Sequence, residues 1–126
     1  MLIKTRKSGI KNKPYEVAED TFFILSNKER IFIHEGYATD YASIPSILKL
    51  FLEWKGNEAD AYIIHDYLYD YRGYRKSAWS KIIKVKRKWA DQEMKIQMQM
   101  RGSPKWRCWA YYFSVRLFGR ASFGNL

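Results

Sequence analysis

The hydrophobic period changes once along this chain, near Ser43, and that change limits the fold class more than any other feature. Ahead of it the segments "YEVAE", "TFFILSN" and "RIFIHEGY" are β-rich, and "NKER" supplies a polar hairpin turn. Behind it the apolar residues recur three and four apart. Ser43 is placed as an N-cap with Pro45 in the first turn, so "SILKLFLEW" reads as a helix to about Trp54, ended by Gly56–Asn57. In "EADAYIIHDYLYDY" the stripe is Ala61, Ile64, Leu68 and Tyr71, and "RGYRKS" breaks the helix. Next comes "KRKWADQEMKIQMQMR", with Trp89, Ile96 and Met100 on one face. "GSPKW" then punctuates: Gly102 ends one helix, Ser103 caps the next and Pro104 is its first residue. The last helix, "KWRCWAYYFSVRLFG", is expected to bury Trp106, Ala110, Phe113 and Leu117. The expectation is α+β: a single domain over residues 1–126, with a small N-terminal antiparallel sheet followed by about four packed helices. Residues 1–14 form a basic N-terminal segment.

A chain of 126 residues can close one core without metal or disulfide staples. Its one cysteine, Cys108, excludes an internal disulfide framework and suits a reducing cytoplasm or a virion particle. "MLIKTRKSGIKNK" has no apolar signal-peptide core, and no run approaches the roughly 20 apolar residues of a membrane span. The net charge of +10 is uneven: residues 15–71 hold 11 acidic and 4 basic side chains, whereas residues 1–14 contribute +5 and residues 72–126 contribute +12. Such a surface attracts polyanions, and weak electrostatic binding of nucleic acid is the expectation it supports.

Three places could carry chemistry. His65 lies at the edge of its helix's apolar stripe beside Asp66, and a half-buried imidazole next to a carboxylate can ligate a metal or relay a proton. Asp40 sits in the "GYATDYASIP" turn. Arg87 and Asp91 stand four apart on a helix. Each also has a structural explanation: a core-edge histidine, an Asp bonding its own turn, and a surface ion pair worth roughly 0.3–0.5 kcal/mol. There is no Gly-rich phosphate loop, no HExxH helix and no nucleophile elbow. The order His34, His65–Asp66, Asp91 imitates the ligand set of metal-dependent phosphohydrolases. Those are all-helical, whereas His34 lies on an alternating segment, so the match is read as coincidence.

Taken together, four motifs resemble the phage- and prophage-associated domain-of-unknown-function 1353 family. They are Thr39, Asp40, Ala42, Ser43, Ile44 and Pro45 in the turn; His65, Asp66, Leu68 and Tyr69; Arg87, Ala90 and Asp91; and Val115, Arg116, Phe118 and Gly119. The resemblance covers roughly residues 15–120. It departs from the family in the long basic stretch between Tyr71 and Arg87, and in His34, where the family more often has proline. It implies a bacteriophage or prophage origin, with the protein in the host cytoplasm or the virion. It further implies that Asp40, His65, Asp66 and Asp91 converge.

Three functions stay open at this point. One is a hydrolase-like protein with a polar pocket between the Gly36–Pro45 turn and two helices. There Asp40, His65 and Asp66 are the catalytic candidates, and Asp40, His65 and Asp91 would hold a divalent ion (Zn2+, Mn2+ or Mg2+). Alternatively, His65 acts as a general base oriented by a carboxylate. Thr39, Ser43, Tyr69, Arg87 and Arg116 support the site in either version. The second function is a tail or adaptor protein that contacts other virion proteins and uses the same residues as a structural network. The third is nucleic-acid binding.

Overall fold

A computed structural model describes residues 5–10, 13–39, 58–120 and 123. The expected "SILKLFLEW" helix, its cap at Ser43, its end at Gly56–Asn57, and Asp40 all lie outside the described residues.

The β-first, α-second division holds, with more and smaller sheets than the sequence suggested. Strands β1 (Thr5–Ile10), β2 (Lys13–Val17) and β5 (Ala38–Thr39) form one antiparallel sheet in the order β1-β2-β5, with an irregularity in β1 between Lys7 and Ile10. Strands β3 (Thr21–Ile24) and β4 (Arg30–Ile33) form a separate hairpin. The expected single sheet is therefore wrong, and the turn after β4 explains why. Gly36 adopts φ +84, a left-handed conformation that glycine tolerates best. That bend, fixed by Gly36 N–H to Val17 O (2.7 Å), leads the chain away from β3–β4 to pair with β2. The basic stretch after the first helix contributes a third small sheet, β6 (Gly73–Tyr74) with β7 (Ile83–Lys84).

Three helices are described: α1 (Ala59–Tyr71), α2 (Arg87–Met100) and α3 (Lys105–Phe118). Helix α1 is central. Every residue from Ala59 to Tyr69 is buried, so the expected stripe widens to the whole circumference. One side packs under the hairpin with Phe23, Leu25, Ile31 and Ile33. The other, with Ala61 and Tyr62, packs on Met94 and Met98 of α2 and on Cys108, Tyr111 and Val115 of α3.

The inward faces of α2 and α3 differ from expectation. Met100 is exposed, and α2 buries Ala90, Asp91, Glu93, Met94, Gln97 and Met98, a face that is half polar. Glu93 on that face accepts hydrogen bonds from the Ser26 N–H and hydroxyl (2.6 Å for the latter) and from Gln97, which fastens the hairpin to α2. In α3, Trp106, Phe113 and Leu117 are 64%, 55% and 74% exposed, the reverse of the expected burial. The helix has two apolar stripes of equal period, and it packs through Cys108, Tyr111, Tyr112 and Val115. Ser103 is no cap either: the residue before α3 is Pro104, and Ser103 donates to Glu58 instead (2.5 Å).

Candidate functional site

Two helix-spaced pairs face each other where α1 meets α2. His65 and Tyr69 are four apart on α1 with ring centroids 4.2 Å apart, and Arg87 and Asp91 are four apart in the first turns of α2. The last turn of α3 brings Arg116 to the same point. The centre is Asp91, whose side chain is fully buried. Its Oδ1 accepts from His65 Nε2 at 2.8 Å and from the Tyr69 hydroxyl at 2.5 Å. Its Oδ2 accepts from Arg116 at 2.8 Å and lies 3.7 Å from the Arg87 guanidinium.

The Arg87–Asp91 pair, which taken alone reads as a surface ion pair, is thus part of an interior hub. Burial pushes the Asp91 carboxyl up, but the hydrogen bonds from His65, Tyr69 and Arg116 outweigh it and hold it below the ordinary aspartate range. Burial, reinforced by the bond to Asp91, pushes the Tyr69 phenol well up, so it stays a donor. Arg87 also donates to the carbonyls of Val115 (3.0 Å) and Arg116 (3.2 Å), capping the C-terminus of α3 with a cation where the helix dipole is negative.

The β5 strand approaches from the other side. Thr39 donates to Asp66 Oδ2 at 2.5 Å, so Asp66 is turned toward the sheet rather than toward Asp91. Ser43, like Asp40, lies outside the described residues. His34 belongs elsewhere: its Nε2 is 3.2 Å from the Tyr71 hydroxyl, and its ring sits among Tyr37, Tyr67 and Tyr71.

Residues 15–115 match the family described as "Protein of unknown function (DUF1353)". The chain belongs to that family. No curated protein and no solved structure matches it.

The contacts give the motifs of this DUF1353 chain physical roles. Thr39 fastens β5 to Asp66, His65 and Tyr69 grip Asp91 from α1, and Arg87 and Arg116 neutralise it. Gly119 is needed for space. Its φ is ordinary, but a Cβ there would stand 2.5 Å from Val115 O and 2.7 Å from the Tyr69 hydroxyl.

A divalent cation fits poorly at Asp91. Both lone-pair directions of Oδ1 are taken, and two guanidinium groups flank Oδ2. Among the described residues, no cluster of three His, Cys, Asp or Glu side chains could hold a metal. The arrangement suits proton chemistry better. With Asp91 ionised, Nε2 of His65 carries the proton donated to it, so in the neutral ring Nδ1 holds the lone pair.

A second buried network had no sequence signal, because its partners are 49 residues apart. Glu58 and Arg107, both buried, meet through Arg107 Nε at 2.9 and 2.8 Å from the two carboxylate oxygens. Tyr62 and Ser103 also donate to Glu58, and the Arg107 guanidinium lies 5.2 Å from the centre of the Tyr111 ring. Two surface grooves, of about 520 and 560 Å3, flank β7 and share Lys84, Val85 and Lys86; neither includes His65.

Proposed function

We propose that this protein is a small phage- or prophage-encoded hydrolase in which His65 is the general base and Asp91 is its orienting carboxylate. It would act in the host cytoplasm or as part of the virion. The observation that carries this reading is the 2.8 Å contact between His65 Nε2 and a fully buried Asp91. Asp91 is held ionised by its donors, so it fixes the ring's orientation and tautomer and stabilises the imidazolium formed when Nδ1 takes a proton from water. The hydroxide oxygen bonds to the substrate's electrophilic centre, the scissile bond breaks, and the leaving group receives the proton from Nδ1. Asp40 follows Thr39 directly in the sequence. Because Thr39 is bonded to Asp66, the residue after His65, Asp40 is the carboxylate we assign to positioning substrate or water. Cell-wall peptide, glycan and phosphodiester are the substrate classes to try.

One observation favours a second reading. Asp91 binds donors from all three described helices, as a structural staple would, and in a tail or adaptor protein that would be its whole role. The test uses wild type, His65→Gln and Asp40→Asn. Each is assayed against the three substrate classes and melted with Zn2+, Mn2+ or chelator. The enzyme reading expects hydrolysis of one class by the wild type, loss of turnover in both variants with melting within a few degrees, and no response to metal. Inactivity of the wild type, together with a large drop in melting temperature for His65→Gln, would transfer the site to the structural reading.

A further inference from the structure

Helix α3 carries two apolar stripes, and among the described residues the fold uses one. On the side away from Cys108, Tyr111 and Val115 stand Trp106, Trp109, Phe113 and Leu117, at helical spacing. Trp109 is 42% exposed, and the other three are above half. Trp109 and Phe113 stack with centroids 5.5 Å apart, so the stripe is continuous. At 1.5 Å per residue, the run from Trp106 to Leu117 makes a ridge about 16 Å long. Aromatic side chains offer roughly 150–250 Å2 each, so the set presents on the order of 500 Å2 of apolar surface. A patch of that size on a small protein marks an interaction site.

Charge decides what covers it. No acidic residue follows Glu93, whereas Lys95, Lys105 and Arg120 are among six basic residues in that stretch. Lys95 Nζ stands 3.7 Å from the centre of the Trp109 ring, placing a cation on the edge of the stripe, and Lys105 opens the helix along the same edge. A second copy would bring only like charges to this surface. The pair would bury about 1,000 Å2, below the standard stable interface. An anionic bilayer satisfies both features: Trp and Phe settle at the headgroup boundary while the basic edge meets lipid phosphates.

We propose that α3 is an interfacial helix that docks the protein onto anionic lipid without crossing it. No described helix is long and apolar enough to span a membrane. This surface is separate from the His65–Asp91 contact and stands whether or not the hydrolase reading does.

The full chain is sedimented with vesicles of phosphatidylcholine containing about one-third phosphatidylglycerol, and with phosphatidylcholine alone. Binding to the anionic vesicles is expected, weaker by about tenfold or more on neutral ones. Phe113→Glu with Leu117→Glu is expected to weaken anionic binding by about tenfold or more while leaving the melting temperature unchanged, since both side chains are more than half exposed. Lys84→Gln with Lys86→Gln, on and beside β7, is the control for bulk charge and is expected to retain most of the binding. No wild-type binding would overturn the proposal. So would equal binding by the Phe113/Leu117 variant, which would show charge alone at work. A wild-type dimer that this variant converts to monomer would assign the stripe to a second copy and overturn it as well.

Discussion

Replacing Arg107 by Met isolates the energetics of the least expected interaction in the fold. Arg107 is 2% exposed and Glu58 is fully buried, so the substitution removes the one cation that, among the described residues, hydrogen-bonds to the Glu58 carboxylate. Tyr62 and Ser103 would remain as donors, but neither carries charge. Stranding one partner of a buried pair costs about 3–5 kcal/mol, against a total stability of order 5–15 for a domain of this kind. At this chain length that corresponds to a fall in melting temperature of roughly 10–20 °C. The cost should depend on pH. Burial raises the Glu58 carboxyl, yet its bonds to Arg107, Ser103 and Tyr62 bring it below the ordinary value of 4.5. Without Arg107 the burial effect dominates, so the carboxyl takes a proton and the deficit shrinks as pH falls below neutrality. Urea melts of wild type, Arg107→Met, Glu58→Leu and the double variant form the assay. The double variant should recover most of the loss, because an apolar pair of similar volume removes the stranded charge. A single-variant cost under about 1 kcal/mol, or a double variant no better than the singles, would refute the burial argument.

The remaining expectations concern the Asp91 hub. Its carboxyl lies below the ordinary aspartate value of 3.8 in the fold, so its contribution to stability is complete above that value and is lost as pH falls through the lower folded value. Asp91→Asn should therefore cost about 3 kcal/mol near neutrality, and the gap to wild type should narrow in acid, as urea melts across pH will show. Gly119→Ala should destabilise by about 2 kcal/mol through crowding of Val115 O and the Tyr69 hydroxyl, read from the melting temperature. A tyrosine-specific probe should register Tyr69 moving off Asp91 in that variant.

What the sequence disclosed divides by the range of the interaction. Alternation in "TFFI" is visible in the strand itself, with Phe23 inward and Phe22 and Ile24 outward, because the pleat has a strict period of two. The left-handed Gly36 was legible as a turn, whereas the strand that follows it pairs with β2 in a way that was not, so one sheet was expected where the described residues form three small ones. Helix α3 shows the limit of periodicity most clearly. Trp106, Phe113 and Leu117 and the set Cys108, Tyr111 and Val115 have equally good spacing, and only the neighbouring helices select between them. In the candidate site, His65 and Asp91 stood out through motif order, and Tyr69 and Arg116 came with it. Their mutual contact is a tertiary fact about helices packed side by side. The Glu58–Arg107 pair had no local pattern at all. An arginine among "KWRCW" looks like a snorkelling surface residue until Glu58 is seen behind it.

The central proposal is that His65 commits Nε2–H to Asp91 and leaves Nδ1 to act as the base. The measurement that reaches it most directly is the ring-nitrogen NMR spectrum of the two histidines in the folded protein, followed across pH, with His65→Gln used for assignment. In the neutral His65 ring the proton should reside on Nε2 and the lone pair on Nδ1, and Asp91→Asn should abolish that tautomer preference. A neutral ring with its proton on Nδ1 instead, or a tautomer unchanged in Asp91→Asn, would contradict the account and leave the Asp91 hub as a structural staple.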